Sequence, residues 1–168
     1  MMMGFGQTST ATSREQIFEA LFAKVKDVVF DRPVLEKTTW QGSIRKAVDY
    51  SQISAEQMPF LSQFEGPTEK YEQHGNRLPA IRTLQARLFC WARVASGDPN
   101  ELGTQYITTM LEAVEKALAP EQQGYGFPGL QTLGGLVQWC RIEGTILKFT
   151  GDTDQAACAA IPIMILWP

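Results

Sequence analysis

Thr83-Leu84-Gln85-Ala86-Arg87-Leu88-Phe89-Cys90-Trp91-Ala92-Arg93-Val94 alternates without a break. Successive side chains of a β-strand point to opposite faces, so Leu84, Ala86, Leu88, Cys90, Ala92 and Val94 share one face, and Thr83, Gln85, Arg87, Phe89, Trp91 and Arg93 share the other. The first face belongs to a core. The second sets aromatic rings between guanidinium groups, which suits solvent, a covering element or another subunit. A long strand of this kind needs neighbours, and the search for them runs outward in both directions.

Toward the carboxyl end, Leu136 to Phe149 and Ala156 to Trp167 are two apolar segments separated by Thr150-Gly151-Asp152-Thr153-Asp154, a turn with Gly and Asp where a hairpin needs them. They are expected to pair antiparallel. In the last segment Ala157, Ala159, Ile161, Ile163, Ile165 and Trp167 form one face and Ala156, Cys158, Ala160, Pro162, Met164 and Leu166 the other. Both are apolar, which predicts a strand covered on both sides. Pro162 cannot donate to a ladder, so an edge or a bulge is expected beside it. Cys158 to Trp167 carries no charge, and an uncovered edge there would invite pairing with another chain.

Toward the amino end, Met58-Pro59-Phe60-Leu61-Ser62-Gln63-Phe64-Glu65 is a further strand candidate, entered through Pro59 and ended by Gly66-Pro67. Thr68 to Leu78 is polar and reads as a hairpin arm or a loop. Leu35 to Trp40 and Ile44 to Tyr50 look like short strands around a Gln41-Gly42-Ser43 turn, although Arg45-Lys46-Ala47-Val48 is ambiguous. Two helices flank these strands. Ser13-Arg14-Glu15-Gln16 has the form of a capping box, and Ile17, Phe18, Leu21, Phe22, Val25, Val28 and Val29 recur at helical spacing, predicting a helix to about Val29 before Asp31-Arg32-Pro33. Asp98-Pro99-Asn100-Glu101 opens the second, whose stripe is Tyr106, Ile107, Met110, Leu111, Val114 and Leu118 and whose stop is Pro120. The order helix, strands, helix, hairpin predicts an α+β domain: a mainly antiparallel β-sheet with two α-helices packed on one face. Residues 13–168 form that single domain, and residues 1–12, Met-rich and then Thr/Ser-rich, read as a flexible arm without the basic and apolar regions of a signal peptide.

The 168 residues suffice for one domain with a closed core, and a net charge of −3 gives no field that would draw in nucleic acid. The apolar end is too short to span a bilayer as a helix, which takes about 20 residues. Cys90, Cys140 and Cys158 are odd in number, scattered and embedded in apolar runs, so they read as buried free thiols of a reducing cytoplasm. One histidine, His74, lies in a polar stretch ending in Gly75-Asn76, and no pattern joins it to a thiol for nucleophilic or zinc chemistry. Gly124-Tyr125-Gly126-Phe127-Pro128-Gly129 lacks the Lys of a phosphate loop, and Asp152 with Asp154 lacks the remaining ligands of a calcium loop. Glu112, Glu115 and Lys116 fall opposite the apolar stripe of the second helix, a solvated face. Trp40, Trp91, Trp139 and Trp167 lie on expected strands, where burial in a core or an interface is the usual fate of a large ring. No catalytic, cofactor or metal site is expected, and the chain reads as a non-enzyme.

The layout resembles the tail terminator proteins of long-tailed bacteriophages and prophages, the group that includes lambda-type minor tail proteins. The resemblance rests on Ser13-Arg14-Glu15-Gln16-Ile17-Phe18-Glu19-Ala20-Leu21-Phe22, Met58-Pro59-Phe60-Leu61, the strand Thr83 to Val94, Ala113-Val114-Glu115-Lys116-Ala117-Leu118-Ala119-Pro120, and Gln131-Thr132-Leu133-Gly134-Gly135-Leu136-Val137 with Ile142-Glu143-Gly144. It covers nearly the whole chain and departs from the family at the amino terminus. It implies a virion protein, made in the host cytoplasm, that forms a sixfold ring on the tail tube, halts tube growth and presents the neck-facing surface for head-tail joining. Its partners would be copies of itself, the tube protein and a head-closure or connector protein, with DNA passing through the lumen unbound and no membrane involved. Another neck component, a head-closure or tail-completion protein, is the alternative. A closing ring needs two different surfaces that meet head to tail. The residues expected to supply them are Arg87, Phe89, Trp91 and Arg93 of the long strand and Ile163, Ile165 and Trp167 of the last.

Overall fold

A computed structural model of the chain describes residues 12–31, 37–73, 75–76, 80–93, 103–120, 129–149 and 156–167. The expected arm to residue 11, the Asp98 box, His74, the Gly124 to Pro128 run and the Asp152/Asp154 turn lie outside the described residues.

The first helix, α1 (Arg14–Val25), begins as expected: Gln16 N–H donates to Ser13 Oγ at 3.2 Å, and Ser13 N–H to Gln16 Oε1 at 2.8 Å, so two otherwise orphaned donors are met reciprocally. It ends a turn earlier than its apolar spacing implies. Trp40 Nε1 donates to the Val25 carbonyl at 2.8 Å and Thr39 Oγ1 to the Val28 carbonyl at 2.9 Å, so the Val25 and Val28 carbonyls that a longer helix would use are taken by the incoming chain. Phe30–Asp31 (β1) and Lys37–Thr38 (β2) then pair antiparallel as a small separate ribbon.

Among the described residues the main sheet has six strands: β3 (Gly42–Ile44), β4 (Phe60–Glu72), β5 (Ile81–Arg93), β6 (Trp139–Ile142), β7 (Leu147–Phe149) and β8 (Ala156–Trp167). Their order is β3-β4-β5-β8-β6, with β7 also on β8. Every pairing is antiparallel except β3 with β4. The expected Gln41-Gly42-Ser43 turn is thus a parallel edge strand. Of the expected strand Ile44 to Tyr50 only Ile44 is in a strand, as the end of β3; residues 45–49 are irregular chain leading into two short 3₁₀ turns, Tyr50–Gln52 and Ala55–Gln57. Asp49 caps the first by accepting from Ser51 N–H at 2.9 Å, a competing local bond that sheet pairing would forfeit.

Gly66-Pro67 does not stop β4. The ladder shifts register between Glu65 and Glu69 and resumes as Glu69↔Leu84 through Glu72↔Ile81, making Thr68 to Glu72 a hairpin arm. A bulge absorbs the proline, and at Gly66 a Cβ would sit 2.6 Å from the Gln85 carbonyl oxygen, so only glycine fits.

The segment from Leu136 to Phe149 pairs antiparallel with β8 as expected, but as two strands with a gap opposite Pro162. Glu143 N–H donates to the Pro162 carbonyl at 3.2 Å. A strand residue directs its N–H and C=O to the same side, so the donor that Pro162 lacks faces that gap. Gly144 fills it at φ +122°, with Pro162 Cγ 3.2 Å from where a Cβ would stand.

The second helix, α2 (Gly103–Ala117), buries Tyr106, Ile107, Met110, Leu111 and Val114. These join Ile17, Leu21 and Val25 of α1 in one cluster with Leu84, Ala86, Leu88, Cys90 and Ala92 of β5 and the odd-numbered residues of β8. Both helices therefore cover the same face, and the chain is an α+β domain. Gln63 of β4 is a polar residue in this layer, wholly buried, with Nε2 donating to the Phe18 carbonyl at 2.9 Å and Oε1 without a partner among the described residues.

Candidate functional site: the sheet face away from the helices

Alternation carries every second residue of the sheet to the side the helices leave bare. From β5 these are Thr83, Gln85, Arg87, Phe89, Trp91 and Arg93. The register places Phe60, Ser62 and Phe64 of β4 and Ala160, Pro162, Met164 and Leu166 of β8 beside them. Trp139 and Arg141 of β6 and Leu147 and Phe149 of β7 extend the face to the far edge. Leu147 and Phe149 are 48% and 58% exposed. Together with Trp139, Met164 and Leu166 they add to one stretch of apolar surface, and contiguous apolar surface rather than a lone exposed side chain is what marks a contact face.

A groove of about 550 Å³ runs over this face, with Phe64, Gln85, Arg87, Leu147, Pro162 and Met164 along it. It lies at the strand gap beside Pro162, where Glu143, Gly144 and Thr145 also line it. Arg141 lies over the Trp139 ring at 4.1 Å and its Nε pairs with Glu143 at 2.5 Å, fixing one rim. Arg87 and Arg93 are exposed on the same face, and neither forms an ion pair among the described residues.

At the β3 end the face is covered. Ile53, Met58 and Phe60 are buried there as a second, small cluster, with Ile44, Val48, Tyr50 and Trp91 packed against it. The Tyr50 and Trp91 rings sit 5.7 Å apart, and Trp91 Nε1 is buried with no acceptor among the described residues. Arg45 fastens this stretch around the edge of β4. Its Nε donates to Glu65 Oε1 at 2.8 Å and its Nη1 to Glu15 Oε1 at 2.6 Å, joining the segment after β3 to β4 and to the first turn of α1. The guanidinium holds the Glu15 carboxyl below its ordinary range, by hydrogen bonding first and charge second. The carboxylates in turn hold Arg45 above its own, Glu15 most.

The expected contact residues divide. Arg87, Phe89, Trp91 and Arg93 lie on the bare face, with Trp91 half-buried beneath the Tyr50 segment. Ile163, Ile165 and Trp167 do not. Ala86↔Ile163, Leu84↔Ile165 and Arg82↔Trp167 are register partners, so these three point under the helices and are 2%, 0% and 8% exposed. They are core residues, and on β8 the residues facing away from the helices are Ala160, Pro162, Met164 and Leu166. Because both faces of β8 are apolar, its sequence carries no sign of which one is bare. Leu147, Phe149, Trp139 and Arg141 were not singled out as surface by their pattern, since short strands offer too few residues to establish a period. Arg45 gives no local signal at all.

The three thiols are buried and free. Burial pushes Cys140 and Cys158 up to about 12 and raises Cys90 as well, the last with a smaller contribution from Cys158 beside it. Thiols so protonated are poor nucleophiles near neutrality. Among the described residues, no three His, Cys, Asp or Glu side chains converge as a metal site. No helix among them is long and apolar enough to cross a membrane. Set against protein-family models and curated proteins, the chain matches no family and no curated protein.

Proposed function

We propose that this chain is a structural virion protein that closes as a ring on the end of a phage tail tube, ends tube growth and offers the surface for head-tail joining. One observation carries the reading: among the described residues, a six-stranded sheet is shielded on one side by both helices and left uncovered by them on the other, where Phe64, Leu147 and Met164 line a groove with the exposed Arg87. The resemblance of the chain to tail terminators supplies the kind of assembly. A bare apolar sheet face with its helices on the far side gives a subunit two unlike surfaces, as head-to-tail ring contacts require. The chemistry is that of burial rather than bond-making, with Arg87 setting register on the neighbour through a carboxylate.

Negative-stain microscopy of the purified protein with purified tail tubes, together with its mass by light scattering, tests this. Rings and capped tube ends are expected. A protein that stays monomeric and never decorates tube ends refutes it, and binding to capsid connectors but not to tubes assigns it to another position in the neck. Arg87→Glu is expected to abolish capping while shifting folding stability by no more than about 0.5 kcal/mol, since the side chain is exposed and unpaired.

A further inference from the structure

We propose that residues 45–58 form a releasable strap over one end of the bare face, held shut by Arg45, and that lifting it adds Phe60 and Trp91 to the docking surface. The gating part of this inference rests on the functional reading above; the motion does not.

Four observations point to release. Ile53 and Met58 of the strap pack on Phe60 of β4 in a small cluster separate from the main core, so the strap can lift without opening that core. Among the described residues its backbone-to-backbone bonds are those of its own short turns, Gln52 N–H to Asp49, Ile53 N–H to Tyr50, Gln57 N–H to Ser54 and Met58 N–H to Ala55. The closed position leaves Trp91 Nε1 buried without an acceptor, a penalty that disappears once the indole meets water or a partner's carbonyl. Its fastening is concentrated at one end: Arg45 grips Glu65 and Glu15, and Ser62 Oγ donates to the Lys46 carbonyl. The Glu15 side chain is 71% exposed, so solvent competes for this clasp.

The strap also covers the right place. Phe60 and Trp91 are register partners on the bare face, and Phe64 and Phe89 continue the same rows toward the groove. Lifting residues 45–58 would turn the groove and the satellite cluster into one continuous apolar surface. A neighbouring copy of this chain that binds this enlarged surface selects the open state, and its apparent affinity is reduced by the fraction of molecules that are open.

Hydrogen exchange read by mass spectrometry tests the strap on the whole protein. In the wild type, the amides of Gln52, Ile53, Gln57 and Met58 are expected to exchange faster than those of β5 and β8. Arg45→Met is expected to speed them about tenfold, with β5, β8 and α2 unchanged as the internal control of folding. Glu15→Gln, a change on α1, is expected to act in the same direction on the strap while leaving α1's own protection intact. Exchange of the strap in step with the core, or indifference to both substitutions, overturns the strap. Tube capping by the same variants tests the gating, with half-maximal capping expected at up to about tenfold lower protein concentration. Faster strap exchange with unchanged capping overturns the gating and leaves the motion standing. A wild-type protein that never caps tubes refutes the functional reading, while the exchange result still judges the strap.

Discussion

Replacing Gln63 with Met is expected to stabilise the protein. Gln63 is wholly buried between β4 and α1, where it makes one hydrogen bond, Nε2 to the Phe18 carbonyl at 2.9 Å, and leaves Oε1 with nothing. The bond contributes about 1 kcal/mol net, and the Phe18 carbonyl, being inside α1, still has its helical partner once the amide is gone. A buried acceptor left unmet costs about 1 to 3 kcal/mol, and the substitution removes it. Met has nearly the same length, bends to fill an irregular space and buries its thioether without a polar partner. The balance favours Met by about 1 kcal/mol, which for a chain of this size raises Tm by roughly 2 to 4 °C. Urea unfolding should show a higher midpoint at an unchanged slope. A lower midpoint would refute the reasoning, because it would mean that Oε1 is satisfied in solution, by a buried water. Gln63→Glu is the control of opposite sign, since it forces a carboxylate into the helix–sheet layer and should destabilise strongly.

Gly144→Ala is expected to cost about 1 to 3 kcal/mol by thermal unfolding, because φ is +122° there and the new methyl would press Pro162 at 3.2 Å; a neutral result would mean that the strand gap relaxes freely. Acid should loosen the Arg45 and Arg14 contacts. Glu15 and Glu69 are both held below the ordinary glutamate value of 4.5, by Arg45 and Arg14 respectively. Their contribution is therefore complete above pH 4.5 and is lost as pH falls through the lower folded values. Strap exchange, corrected for the intrinsic rate, should rise only below that point, and a rise already present at pH 6 would contradict the assignment. Finally, Cys90, Cys140 and Cys158 should resist a thiol reagent in the native protein at pH 8 and react at the rate of unfolding in denaturant; rapid native labelling at any of them would contradict their burial.

Local pattern made much of the architecture legible. The alternation from Thr83 to Val94 names both faces of β5 because polar and apolar residues take turns along it. The Ser13/Gln16 box and the stripe of α2 mark their helices for the same reason, a period written into neighbouring residues. The facing of Arg87, Phe89, Trp91 and Arg93 was legible too, since parity alone tells them from the core.

What the amino-acid sequence determined by itself is an α+β chain with one strand of known facing and two amphipathic helices. Tertiary structure alone decided the rest. The side of β8 that meets the helices follows from its register with β5, because a strand apolar on both faces looks the same after a slip of one residue. Gly42 to Ile44 became a strand through the edge of β4, and Gly66-Pro67 stayed inside one because a bulge could be accommodated against Gln85. The strap exists because Arg45 finds Glu15 and Glu65, thirty positions before it and twenty after it. Periodicity reports only what adjacent residues share, whereas these outcomes depend on which distant segment arrives alongside.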